Sequence, residues 1–305
     1  MRSTGSRYRV FTDRQWERIE PLLPSNSGLP GHPFGDNRRV VEGIAYRFRT
    51  GIPWRDLPRE QFGPWQTVWK RHRRYAGDGT WDRVLTQILA EADTAGKIDW
   101  AVSIDATIAR AHQHATNTPP VLSRTHGAGS NHKNLPWHEV EPPGHGIGRS
   151  RGGLTTKIHQ AVGGNGRPLG MIVTGGQRND GAMLTGMLAQ IHGPRLGRGR
   201  PRTRPDAVLA DRAYSTGVIR SQLRRRAIKA VIPDKRDQAA ARKRRGSRGG
   251  RPSGLDAEAY KRRNVVERFF ALAKQWRGIA TRFDKLAITY RAGVTLCAIL
   301  TWLRV

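Results

Sequence analysis

The chain has 305 residues and carries 54 Lys and Arg against 24 Asp and Glu, a formal net charge of +30. Such a charge repels itself unless polyanions screen it, so nucleic acid bound through its phosphates is the expected partner, with a solvated basic surface or an anionic membrane as the plainer readings. No apolar run is long enough to span a bilayer, the first seven residues lack a secretory apolar segment, and Cys297, the single cysteine, excludes an internal disulfide, so a reducing cytoplasm and nucleoid association are expected.

Residues 11 to about 95 read as helical. Thr12-Asp13 caps a start at Gln15-Trp16, and Ile19, Leu22 and Leu23 follow at helical spacing until Pro24. Asn37 to Arg49 forms a second helix with Val40, Val41, Ile44, Ala45 and Phe48 on its apolar face. A third runs from Pro64 to Tyr75, with Lys70, Arg71, His72, Arg73 and Arg74 on its polar side, and a fourth from Trp81 to Ala92. Short helices with a basic, Trp-bearing member after a turn suggest a helix-turn-helix type of DNA reader, which makes Lys70, Arg71, Arg73 and Arg74 candidate DNA contacts. The alternative is an ordinary helical region with a solvated basic face.

From residue 98 the texture changes. Ala101 to Asp105 is a short apolar strand ending in a carboxylate. Leu154–Val162 and Pro168–Thr174 are two more strands, joined by a turn at Gly163-Gly164-Asn165-Gly166. A helix over Asp180–Ile191, a strand Ala207–Ala210 ending at Asp211, a helix from Ser215 to Arg226 and a strand at Lys229–Ile232 follow. The order predicts a mixed α/β sheet with covering helices. Residues 1–96 are thus expected to form a helical DNA-binding domain and residues 97–305 an α/β domain. Two irregular segments interrupt the second: 113–153, rich in Gly, Pro, His, Asn and Ser, and 234–254, where like charges disfavour order in the free chain.

Three acids stand out. Asp105 and Asp211 each close a buried-looking strand, where a carboxylate is costly unless solvated, paired or bound to metal; each is equally readable as a cap. The stretch from Tyr260 to Gln275 has neither Gly nor Pro and reads as one long helix. At about 100° per residue, Tyr260, Arg263, Glu267 and Lys274 share an arc of roughly 60°. Val265, Phe269, Leu272, Ala273 and Trp276 lie opposite, and Phe270 falls between the two faces. A solvated face with one Arg263–Glu267 ion pair would read the same way.

The spacing Tyr260-x2-Arg263-x3-Glu267-x6-Lys274 resembles the signature of bacterial insertion-sequence transposases of the IS-four and IS-five type. Ser103-Ile104-Asp105-Ala106-Thr107 looks like their first catalytic motif and Leu209-Ala210-Asp211-Arg212-Ala213-Tyr214 like their second. The stretch from Gly148 to His159, which includes Lys157, resembles the IS-five group, as does Thr50-Gly51-Ile52-Pro53-Trp54-Arg55-Asp56-Leu57-Pro58 with Gly63-Pro64-Trp65. Members of that family commonly carry an acid in the hairpin where this chain has Gly163-Gly164-Asn165, a turn variation outside the three acids.

The resemblance implies a ribonuclease-H-like core whose Asp105, Asp211 and Glu267 hold two Mg²⁺ or Mn²⁺ ions for phosphoryl transfer. It implies DNA contacts for Tyr260, Arg263, Lys274 and Lys157. Terminal inverted repeats and target DNA would be the partners, bound by at least a dimer, with no membrane and no nucleotide cofactor. Tyr214 and Tyr260 are read as stacking or hydrogen-bonding residues, not nucleophiles. The rival readings are a catalytically inactive, DNA-binding-only derivative and a nuclease acting on RNA–DNA hybrids. The histidines between 112 and 145 lack the spacing and thiolates of a zinc site.

Overall fold

The structure is a computed structural model that describes residues 7–25, 36–117 and 143–304. Most of the predicted irregular segment 113–153 lies outside them, as do His126, His132 and His138.

Among the described residues five α-helices precede the first strand. Helix α1 (Asp13–Ile19) starts at a reciprocal cap: Thr12 Oγ1 accepts from the Gln15 amide at 3.2 Å, and Gln15 Oε1 accepts from the Thr12 amide at 3.0 Å. Helix α2 (Asn37–Thr50) is capped by Asp36 and stops at Gly51, whose φ of 74° favours a residue without Cβ. Its predicted apolar face, Val40, Val41, Ile44, Ala45 and Phe48, is buried. Helices α3 (Arg59–Phe62), α4 (Trp65–Gly77) and α5 (Thr80–Thr94) follow. The basic side expected of α4 is narrower than its composition implies. His72 is buried and its Nε2 lies 3.0 Å from the Thr289 carbonyl. Arg71 is buried too, donating to Asn37 and stacking on Tyr75. Two positions read as solvent-facing are thus core, because five consecutive helical residues cannot all face one way.

Strand β1 (Ala101–Ala111) is followed by α6 (Gln113–Thr116), β2 (Gly148–Ser150), β3 (Gly153–Val162) and β4 (Pro168–Gly175). A 3-10 turn then leads into α7 (Leu184–Gln190), shorter than expected, and next come β5 (Ala207–Ala210), α8 (Gly217–Arg225) and β6 (Lys229–Val231). The sheet runs β4-β3-β1-β5-β6. The pairs β4/β3 and β3/β1 are antiparallel, β1/β5 and β5/β6 are parallel, and β2 pairs with β3 beyond the end of β4.

The remaining elements are α9 (Arg236–Arg244), α10 (Ala257–Lys261), α11 (Asn264–Lys274), α12 (Arg277–Ala280), β7 (Thr281–Arg282) and α13 (Ala287–Leu303). The chain from 234 to 254, expected to be irregular, contains α9 and a 3-10 turn over Gly246–Gly249. Ion pairs to Asp234 offset the repulsion that argued for disorder. The long helix expected over 260–275 is two helices. Between them the amides of Arg263, Val265 and Val266 bond three residues back, to Tyr260, Arg262 and Arg263, at 3.0 to 3.2 Å. The break has a packing cause: Ala259 and Tyr260 face Leu209 and Val231, whereas Val265, Val266 and Phe269 enter the main core.

One contiguous core extends from Phe11 to Leu303 and runs across the expected boundary at 96–97. Helix α13 is buried on nearly every side, which is why its sequence lacks a polar face. It touches α2, α4 and α5 as well as β4 and so joins the helical region to the sheet.

Candidate active site

Asp105 does not end a strand; it lies in the middle of β1. What ends there is a pairing. β5 accompanies β1 only as far as Ile104–Ala210, and β7 joins the same edge at Arg110. Among the described residues that edge has no strand partner from Asp105 to Ala109, which lets a mid-strand carboxylate reach solvent. Asp211 is the first residue after β5, one step past the same register pair, so the two aspartates occupy adjacent places on neighbouring parallel strands. Strands in a sheet lie about 4.8 Å apart.

Asp211 also does what a cap does: its Oδ1 accepts from the Ala213 amide at 2.8 Å and starts a 3-10 turn over Arg212–Tyr214. Asp105 Oδ1 accepts from the Ala106 amide at 2.8 Å, and its Oδ2 accepts from Arg263 Nη1 at 2.7 Å. Burial pushes the Asp105 carboxyl above its ordinary value, and the charge of Asp211 adds to the push; the Ala106 amide and Arg263 oppose it without cancelling it.

Helix α11 lies across β1 and β3, held by Val265, Val266, Phe269, Phe270 and Ala273. Phe270, which fell between the faces, is buried with the rest. This packing brings Arg263 and Glu267 over Asp105. The Arg263 guanidinium donates through Nη1 to Asp105 and through Nη2 to Glu267, so one planar fork spans the two acids. Burial works against the Arg263 charge, but Asp105, then Glu267 and Tyr260, outweigh it and raise its pKa. The Tyr260 ring lies 5.8 Å from that guanidinium. Glu267 is half exposed. Lys274, at the other end of α11, is exposed, and its partial desolvation lowers its ammonium pKa. Among the described residues no three His, Cys, Asp or Glu side chains converge as a metal-holding group; Arg263 stands between two of the three predicted acids.

Two family models match the chain: "Transposase DDE domain" over residues 96–302 and "Putative transposase of IS4/5 family" over residues 11–85. The chain belongs to the DDE transposase family. Among similar proteins, the "Insertion element IS402 uncharacterized 16.2 kDa protein" of Burkholderia cepacia is 36% identical over 37% of this chain and 82% of its own length. The "Putative transposase for insertion sequence element IS402" of the same species is 36% identical over 48% of this chain and 63% of its own. The "Putative transposase for insertion sequence element IS6501" of Brucella ovis is 29% identical over 50% of this chain and all of its own. No helix of the transposase, among the described residues, is long and apolar enough to cross a membrane.

The other expected DNA contacts fare differently. Lys157 is turned inward, donating to Asp180 at 2.9 Å and to the Arg178 carbonyl at 2.8 Å. On α4, Lys70 and Arg74 are exposed and Arg73 lies over the Trp69 ring. Two further residues neighbour the acids: Tyr214, read from the sequence as a stacking or hydrogen-bonding residue, and Asp180, which sequence reading missed. Tyr214 is fully buried, its hydroxyl has no hydrogen-bond partner among the described residues, and burial, then Asp180, Asp105 and Asp211, raise its pKa. Asp180 is therefore a fourth acid near the site. In the sequence it looked like the start of a helix; its distance of 75 residues from Asp105 gave no signal of proximity.

Proposed function

We propose that this transposase cuts DNA at the ends of an insertion sequence and joins the freed ends to target DNA. Asp105, Asp211 and Glu267 are its ligands for Mg²⁺ or Mn²⁺, and the mixed sheet is a ribonuclease-H-like core. The observation that carries the reading is the pairing of register and reach: Asp105 on β1 and Asp211 just past the end of β5 are adjacent, and one guanidinium spans Asp105 and Glu267. Three carboxylates and no thiolate or imidazole form an oxygen donor set that suits hard divalent ions. Asp105 and Glu267 would hold the cation in place of their shared contact with Arg263, which would leave that guanidinium available to DNA phosphate.

Bound there, divalent ions would ease deprotonation of the attacking hydroxyl and neutralise charge on the leaving oxygen. In the first step a water oxygen bonds to phosphorus and the 3′ oxygen of the element's end leaves, taking up a proton. In the second, that 3′-hydroxyl bonds to a target phosphorus and a target 3′ oxygen leaves. Arg263, Tyr260 and Lys274 hold the phosphates at the acids; Lys70, Arg73 and Arg74 on α4 contact DNA farther out, as a helix-turn-helix reader would. Two ends brought together call for at least two copies.

The test uses a labelled duplex bearing the element's terminal repeat. Glu267→Gln is expected to lose nicking by more than about a hundredfold while duplex affinity changes less than about threefold, because a metal ligand is removed and no phosphate contact is lost. Wild-type cutting in that variant would refute the assignment. Binding by the wild-type protein without any nicking in Mg²⁺ would establish the inactive, binding-only reading instead.

A further inference from the structure

The proposed chemistry leaves the chain between β6 and α10 without a role. After Val231 it leaves the sheet, forms α9 and the turn at Gly246–Gly249, and returns at Asp256, which caps α10. Helix α9 buries no residue, so apolar packing does not hold it. Polar anchors do. Asp234 accepts from Arg220 Nη2 on α8 at 2.7 Å, from Arg242 Nη1 on α9 at 2.8 Å and from Ser253 Oγ at 2.6 Å, which ties the outgoing and returning chain together. Gln238 on α9 accepts from Ser215 Oγ at 2.8 Å, and Ser215 follows the capped turn that Asp211 starts.

Past these anchors the arm presents only cation. Lys243, Arg244, Arg245, Arg248 and Arg251 are exposed, and among the described residues no carboxylate lies within ion-pair distance of any of them. Five like charges within nine residues repel one another, and an ordered scaffold that gathers them needs an anionic partner to offset that repulsion. The position of the arm says where the partner runs. One anchor stands beside the turn after Asp211, and the arm ends at α10, which leads into Arg263 and Glu267. A second basic stretch offers an internal contrast. Arg195, Arg198, Arg200 and Arg204 lie between α7 and β5 and enter β5 at the end away from Asp211.

We propose that residues 236–251 form a duplex-DNA clamp: α9 and the turn after it grip the phosphate backbone, independent of sequence, where DNA passes the acidic site. The proposal deepens the DNA-cutting reading and rests on it, but is read out by binding alone.

The experiment compares the full chain with two variants, each checked for an unchanged melting profile. One carries Lys243→Gln, Arg244→Gln, Arg245→Gln and Arg248→Gln; the other carries Arg195→Gln, Arg198→Gln, Arg200→Gln and Arg204→Gln. Affinity for a random-sequence duplex is measured as a function of salt. Each lost phosphate contact lowers the log–log salt slope by about 0.9. The arm variant is expected to lose about 2 to 4 units of slope and at least tenfold in affinity near physiological salt, and the loop variant less than 1 unit. Equal losses in both would mean that only net charge matters and would overturn the clamp, as would an unchanged slope in the arm variant. Binding to phosphatidylserine vesicles that matches duplex binding and falls equally in the arm variant would assign the arm to a membrane surface and also overturn it. A wild-type chain that binds duplex through the arm yet never nicks it would sink the cutting reading and leave the clamp standing.

Discussion

At Arg263 a single guanidinium joins Asp105 on a strand to Glu267 one helical turn along α11, and this pairing is where the candidate site differs most from a list of acids. The Arg263–Glu267 pair was legible as an i,i+4 contact. The Asp105 contact was not, because 158 residues separate the partners and only the packing of α11 on β1 brings them together. Another residue sets a pH response. His72 is enclosed by Phe48 and Trp54, donates to the Thr289 carbonyl, and is pushed by burial down to about 4. It is neutral in the fold, whereas the unfolded chain takes up a proton below its ordinary value of 6.5. Stability is therefore present above pH 6.5 and lost as pH falls toward 4, by up to about 3 kcal/mol from this residue. Unfolding measured between pH 7 and 4.5 is expected to show a shallower pH slope in His72→Gln than in the wild type; equal slopes would contradict this.

Among the elements, α9 shows how far local charge misleads. Its sequence reads as a repelling basic run, and the carboxylate that organises it, Asp234, sits just before the helix. Asp234 lies below the usual carboxylate range because Ser253 and Arg242, then Arg220, outweigh the cost of its partial burial. Asp234→Ala is expected to release the arm while the sheet holds, since no residue of α9 is buried. Amide exchange in residues 236–244 should accelerate at least tenfold while exchange in β1 and β3 stays unchanged; unchanged exchange in α9 would show that the three contacts to Asp234 do not hold the arm. The break between α10 and α11 has the same lesson. Helical periodicity from Tyr260 to Lys274 was real in the sequence, but two different apolar surfaces pull on it, and the chain tightens at Arg262–Arg263 to serve both. The relation among Arg263, Glu267 and Lys274 survives because Glu267 and Lys274 stand within α11 and Arg263, its N-cap, keeps helical backbone angles.

Across the whole molecule, α13 closes the helical region onto the sheet, and Gly293 lets it approach. A Cβ at that position would stand 2.2 Å from Phe48 Cε1 on α2, and the Phe48 ring is fully buried with nowhere to turn. Gly293→Ala is expected to destabilise by about 1–3 kcal/mol despite the gain of about 1 kcal/mol in helix propensity. A denaturant midpoint that rises in this variant would mean that α2 and α13 shift apart at little cost. Beside this contact, Arg47 reaches from α2 to Asp284 at 3.0 Å in a pair that is almost wholly buried. By itself the sequence determined what is local: the helices read over 37–49, 64–75 and 81–92, each within two residues of its observed bounds, the strands on either side of Gly163–Gly166, the apolar face of α11, the spacing of Tyr260, Arg263, Glu267 and Lys274, and through it the family. Periodicity and caps act over a few residues, so they can be read from a few residues. Tertiary structure alone decided which face each cation takes, that Asp105 lies mid-strand at an opening in the sheet edge, that Asp180 and Tyr214 stand near it, and that Asp234 orders the basic arm. Those outcomes depend on contacts between residues distant in sequence, and chain order carries no measure of them.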